Sequence, residues 1–174
     1  ENINLRFGTS YTDADLYLTA GAAAALCCCL HALACPGDRF VVLAPFFPEY
    51  KVFVEKTGAE MDVVPPEIEA FQIDFDALER TIDARTKGIL INSPNNPSGA
   101  VYSVETVQRL ADLLKRKSEE VGHVIWLISD EPYREITYVD GELPWLPSYY
   151  DNTLVCYSFS KSLSLPGERL GYVL

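Results

Sequence analysis

Five short stretches of this chain hold residue types that can do chemistry. SFSKSLSLPGERLGY places Lys161 among serines, with Ser158 and Ser160 ahead of it and Arg169 eight positions after it. SDEPY sets Asp130 directly after the apolar run VIWLIS, with Tyr133 three residues on. SPNNPSG, containing Asn96, follows KGILIN; PFFPEY, containing Phe47, follows RFVVLA; AGAAAAL, containing Gly21, Ala22 and Ala23, follows DLYLT. An amine can add to an aldehyde, and an aromatic ring can stack on a flat ligand. A carboxylate at the end of a buried strand is costly to ionise unless a cation faces it. Backbone N–H groups at a helix start can hold a phosphate.

Taken singly, each stretch has a plainer explanation. Asp130, ahead of Glu131 and Pro132, could cap a short helix. NNPSG is good turn chemistry whatever the function. Phe46 and Phe47 could be core aromatics, Ala22 and Ala23 helix formers, and Lys161 a loop charge. What decides is where the elements put them.

Apolar runs of strand length, DLYLT, RFVVLA, MDVV, KGILIN, VIWLIS, TLVCYS and RLGYVL, alternate with segments that carry helix signals. These are the alanine-rich stretch after Gly21, FPEYKVFVEKTG ending at Gly58, DFDALERTIDA with Asp74 as N-cap, and SVETVQRLADLLKRKSEE starting at Ser103. The alternation predicts a three-layer α/β/α domain built on a mixed, mostly parallel sheet of about seven strands. Between Ser158 and Arg169 there is too little chain for a helical crossover, so the last strand is expected to run antiparallel. In such sheets the ligand crevice lies beyond the carboxyl ends of the parallel strands, and all five stretches fall on that edge. Together they suit one ligand: a carboxylate for a protonated pyridine nitrogen, a ring to stack on, a lysine for an aldehyde and amides for a phosphate. That ligand is pyridoxal 5'-phosphate. A nicotinamide site would need Gly-x-Gly-x-x-Gly after the first strand, where TAGAAAAL offers one glycine.

The order of SPNNPSG, SDEPY and SFSKSLSLPGERLGY resembles the large domain of the fold-type-I pyridoxal-phosphate enzymes. It is most similar to the class I/II aminotransferases of the aspartate aminotransferase superfamily, over essentially the whole chain. The resemblance implies that Lys161 forms the internal aldimine and shuttles a proton between the substrate's Cα and the cofactor, while Asp130 keeps the ring nitrogen protonated. It implies that Tyr133 and Asn96 hydrogen-bond the phenolic oxygen, that Asn96 also reaches the substrate carboxylate, and that Phe47 stacks on the ring. Gly21, Ser158, Ser160 and Arg169, with the amides of Ala22 and Ala23, would take the phosphate. Three departures stand out: Ser98 where the family has Thr, Phe47 in place of Trp or Tyr, and no hydroxyl side chain in the turn after Gly21.

By the same resemblance the protein is an aminotransferase that moves an amino group from an amino acid to a 2-oxo acid and works as a homodimer. A carbon–sulfur β-lyase of the same fold and a non-catalytic effector-binding domain of a regulator are the competing readings. The family also has an N-terminal segment and a small C-terminal domain, the latter holding the arginine that grips the substrate carboxylate. Residues 1–174 are therefore read as a single cofactor-binding domain of a longer chain, inactive by itself.

Composition sets the outer limits. The chain has 174 residues, 48% hydrophobic and 22% charged, enough for one globular domain with a continuous core. A net charge of −11 repels phosphate backbones and anionic lipid heads, which argues against nucleic acid and membrane partners. The apolar stretch from Gly21 to Ala34 is broken by His31 and too short to span a bilayer, and ENINLRFGTS lacks a signal peptide's order, so a soluble, cytoplasmic protein is expected. Cys27, Cys28, Cys29, Cys35 and Cys156 form no disulfide framework. Cys27 and His31 share a helical face but lack a second ligand pair, so the thiols are read as small buried hydrophobes and no metal is expected.

Overall fold

The computed structural model of the chain describes residues 1–69, 71–139 and 141–174. Seven strands, β1 (Tyr17–Thr19), β2 (Arg39–Leu43), β3 (Glu60–Val64), β4 (Thr86–Asn92), β5 (Trp126–Asp130), β6 (Thr153–Ser158) and β7 (Gly171–Val173), form one sheet in the order β1-β7-β6-β5-β4-β2-β3. β7 is antiparallel to both neighbours and every other pair is parallel, so the sheet is mixed in the way the short link after Ser158 requires. The helices are α1 (Asn2–Phe7), α2 (Ala22–Leu33), α3 (Glu49–Glu55), α4 (Phe75–Thr81), α5 (Val104–Val121) and α6 (Phe159–Ser162).

Successive strand side chains point to opposite faces. Val41, Ile89, Ile91 and Leu127 join one core with Leu78 of α4 and Val107, Leu110, Ala111, Leu113 and Leu114 of α5. Val42, Leu90, Ile128 and Cys156 join a second core with Ala25, Leu26, Cys29 and Leu30 of α2 and Tyr50 and Val54 of α3. Both faces are thus covered, which is why the strand sequences read as continuous apolar runs.

The helix signals act where the sequence places them. Asp74 accepts from the Ala77 N–H at 2.9 Å and Ser103 from the Thr106 N–H at 3.2 Å, caps worth about 1 kcal/mol each. α5 stops at Gly122, whose φ of 80° is the left-handed cap that glycine supplies.

Elsewhere local chemistry trims or adds to the expectation. β1 starts at Tyr17 because Thr12 and Asp15 close a reciprocal capping box around a 3-10 turn over Asp13–Asp15. α3 ends at Glu55, short of Gly58. α1 has no buried residue; it is tied by Asn4, whose side chain donates to Tyr11 O at 2.7 Å and accepts from Tyr11 N at 2.9 Å, and Phe7 just inside its end stacks on Trp145. The thiols need correcting. Cys29 and Cys156 are buried, but Cys28 and Cys35 are exposed and Cys27 is half-buried. α2 buries the face of Ala25, Leu26, Cys29 and Leu30, and Cys28 lies on the side turned to solvent. Among the described residues, no helix is long and apolar enough to cross a membrane.

Candidate active site

Strand register builds the site. Asn92 is the Cα partner of Asp130 and Asp130 that of Cys156, so β4 and β5 end level and β6 runs two residues further, to Ser158, which pairs with Gly171 of β7. The chain passes from β2 out to β3 and returns to lay β4 on the other side of β2, so the loops after β2 and β4 diverge there. A cleft of about 220 Å³ opens above these strand ends, lined by Ala22, Ala23, Phe47, Asn96, Asp130, Tyr133, Ser158, Ser160, Lys161 and Arg169. Gly21 adjoins it beneath Arg169. The residues given a catalytic or cofactor role in the sequence are therefore brought to one place. A larger hollow of about 530 Å³ beside α1 holds none of them, and Arg6, Glu135 and Arg134 in its lining are already in ion pairs.

Asp130 is not a helix cap. It ends β5 with 6% exposure, and its Oδ2 accepts the Tyr50 hydroxyl at 2.5 Å. Its Oδ1 is buried and has no hydrogen-bond partner. Burial pushes its carboxyl up to about 7, with the Tyr50 hydrogen bond opposing and the Glu131 charge adding to the rise. A buried acceptor left over in this way calls for an external donor or cation.

Asn92 secures the floor. Its Nδ2 donates to Asp130 O at 2.8 Å while its Oδ1 accepts from the Asn96 N–H at 2.6 Å. The loop after β4 is held further by Asn95, whose Nδ2 donates to Pro45 O at 2.9 Å, spanning to the loop after β2. Asn95 Oδ1 takes the Ser98 hydroxyl at 2.7 Å, so the serine at this position uses only the hydroxyl that a threonine would share. The Tyr133 phenol is raised by burial and then by the Asp130 charge, with the neighbouring Asn96 side chain opposing. Lys161 Nζ stands 5.9 Å from the centre of the Tyr133 ring. Phe47 meets Tyr50 edge-on at 5.7 Å.

The other end of the cleft is built for an anion. The first turn of α2 has no acidic residue and no side-chain cap, and its Ala22 and Ala23 line the cleft together with Arg169. Arg169 itself sits at φ 50°, a left-handed conformation uncommon for a side chain of this size. Its guanidinium donates to Pro166 O at 3.0 Å, Ala20 O at 3.3 Å and Ser160 Oγ at 3.4 Å. Ser158 Oγ donates to Ser160 Oγ at 2.9 Å. Gly171 lets β7 approach: a Cβ there would run into Gly21 backbone at 2.8 Å.

The sequence reading missed Tyr50, Asn92 and Gly171. Tyr50 lies one helical turn after Phe47, and Asn92 is the polar end of an apolar run, so both left a faint signal. Gly171 left none, because its necessity depends on the Tyr157 carbonyl of β6 and the Gly21 backbone closing on it from distant parts of the chain. As a donor set, an orphaned carboxylate oxygen, a primary amine and an amide–guanidinium end fit the nitrogen, aldehyde and phosphate of pyridoxal phosphate.

Fold and site together define the large-domain architecture of fold-type-I transferases. An amino transferase structure from Eubacterium rectale superposes with a TM-score of 0.97 at 58% identity, covering 99% of this chain and 44% of that one. The aspartate aminotransferase of Thermus thermophilus superposes with a TM-score of 0.90 at 32% identity, again over 99% of this chain and 44% of its own. In sequence, an arginine–pyruvate transaminase of Pseudomonas aeruginosa is 34% identical over 173 residues, 97% of this chain and 42% of that protein. The profile of the family "Aminotransferase class I and II" matches residues 4–174. The chain belongs to that family, and it spans less than half the length of these relatives.

Proposed function

We propose that residues 1–174 are the cofactor-binding domain of a pyridoxal-phosphate-dependent aminotransferase, part of a longer protein that moves an amino group from an amino acid to a 2-oxo acid. Homodimeric assembly and a cytoplasmic setting belong to the same proposal. The observation that carries it is the buried, partnerless Oδ1 of Asp130 on the floor of a cleft that also holds Lys161. Bound there, pyridoxal phosphate supplies an aldehyde that takes up the amino group and a ring that accepts the electron pair released from Cα.

The chain's own residues then have distinct tasks. Asp130 would hold a proton at the ring nitrogen through Oδ1, which the low dielectric around it makes strongly favourable once a cation is present. Lys161 Nζ would anchor the cofactor and, when released, carry the proton from Cα. Tyr133 and Asn96, which both line the cleft, would donate to the phenolic oxygen. Arg169, Ser158, Ser160 and the amides of Ala22 and Ala23 would orient the phosphate, and Phe47 would close one face against water.

The test is an absorbance spectrum of the full chain with pyridoxal phosphate, before and after amino acids are added, beside Lys161→Ala. A visible band that amino acid removes and a 2-oxo acid restores, absent from Lys161→Ala, is the expected result. Pyruvate and ammonia in place of exchange would identify a lyase instead, and no band at all would remove the proposal.

A further inference from the structure

Tyr50 is 1% exposed and sits on the first turns of α3, far enough into the molecule that its hydroxyl cannot reach solvent. Its ring belongs to the core shared with α2 and stacks on Phe46 at 6.4 Å, yet two further contacts lead to the cleft. The hydroxyl donates to Asp130 Oδ2 at 2.5 Å, and the ring lies edge-on to Phe47 at 5.7 Å. Asp130 has two oxygens, and only Oδ1 is left without a partner. A carboxylate with no such tether could rotate about its terminal torsion, which is broad and nearly two-fold.

We propose that Tyr50 is a positioning residue for the reaction: by occupying Oδ2 it fixes the Asp130 carboxylate with Oδ1 alone presented to the cofactor, and by its ring edge it seats Phe47 on the other side of the same slot. This rests on the reading of Asp130 as the partner of the pyridine nitrogen. The phenol is fit for the task because burial, then the Asp130 charge, raise it well above its ordinary value, so it stays protonated and donates. A donor to the ionised carboxylate favours the ionised form; loss of the hydroxyl should therefore make Asp130 hold its proton more tightly. The other titratable groups that face this carboxylate are Glu131 and Tyr133 on the segment after β5 and Cys156 on β6. None of them donates to Oδ2.

The experiment uses the full chain and two readouts: the Asp130 carboxyl titration followed by carboxyl-carbon NMR without ligand, and the dissociation constant of pyridoxal phosphate just above the wild-type midpoint. Tyr50→Phe is expected to tighten proton binding at Asp130 by about tenfold and to weaken pyridoxal phosphate by a similar factor, as loss of one charge-assisted hydrogen bond implies. A difluorinated tyrosine at position 50, a stronger donor of nearly the same shape, is expected to move the midpoint the other way, and it carries the test if Tyr50→Phe fails to fold. In an Asp130→Asn background, Tyr50→Phe should cost little more. An unmoved midpoint, an unchanged dissociation constant for Tyr50→Phe, or losses that simply multiply would each overturn the role of Tyr50. If Asp130→Asn alone leaves pyridoxal phosphate binding untouched, the reading of Asp130 fails and Tyr50 falls with it. If Asp130→Asn weakens binding and Tyr50→Phe does not, Tyr50 alone is removed.

Discussion

The guanidinium of Arg169 lies where a side chain on Gly21 would have to be: a Cβ at position 21 would stand 2.6 Å from Nη2. Gly21 also has a φ of 84°, so any other residue there is strained in addition to pushing the guanidinium aside. Gly21→Ala is expected to leave the sheet intact while displacing Arg169 and tilting the first amides of α2. Affinity for pyridoxal phosphate should fall by roughly ten- to a hundredfold, with affinity for pyridoxal, which has no phosphate, little changed. Equal losses for both ligands in a calorimetric titration would place the defect elsewhere.

Asp130 makes the ligand-free chain sensitive to pH in an unusual direction. Its folded carboxyl titrates near 7, above the ordinary carboxylate value, so between those two points the native state binds more protons than the unfolded one. Stability from this group is complete at acid pH and declines as pH rises through that window, by an amount on the order of 2–4 kcal/mol. Denaturant melts of the ligand-free full chain should therefore show a downward trend from about pH 5 to pH 8 that Asp130→Asn flattens. A trend identical in the variant would assign the effect to other groups.

Asn92 shows how much of such a site is legible in a sequence. Lys161 and Asp130 could be found because each is a charged residue just beyond an apolar run, where plain packing gives no reason for a charge, and Arg169 through the family resemblance of SFSKSLSLPGERLGY. The strands could be found because two covered faces leave unbroken Val, Ile and Leu runs, and the antiparallel β7 because the short stretch between Ser158 and Arg169 cannot form a crossover. Asn92, Tyr50 and Gly171 act through partners distant in the chain, on other elements. Their roles appear only once β4, β5, α3 and β7 are assembled. The same holds for α1, whose last residue Phe7 stacks on Trp145 at 4.3 Å across most of the chain's length.

Asn92→Ala should accordingly cost stability as well as function. It would strip the donor from the Asp130 carbonyl and the acceptor from the Asn96 N–H, both at the floor of the cleft. Each buried group left alone costs about 1–3 kcal/mol. The melting temperature should drop by about 4–10 °C, and pyridoxal phosphate should bind more weakly because Asn96 loses its anchor. A melting curve that superimposes on the wild type would mean that water replaces both bonds.

Glu131 and Arg134 pose the last case, since they place a second buried anion beside Asp130. Glu131 is 0% exposed and pairs with the Arg134 guanidinium, while its other oxygen accepts from Ser129 Oγ at 2.7 Å. Arg134 also donates to Pro144 O at 3.0 Å and lies 5.2 Å from the Trp145 ring. Removing the cation alone leaves an uncompensated charge in the interior, so Arg134→Met should destabilise the full chain by about 3–5 kcal/mol. The bare Glu131 charge would also raise the Asp130 midpoint further, because its repulsion already acts in that direction. Adding Glu131→Gln removes the stranded charge, so the double variant should recover a large part of both losses. A double variant no more stable than Arg134→Met would show that Arg134 acts through its carbonyl and aromatic contacts, and the ion pair would then have no part in setting the charge on the floor of the cleft.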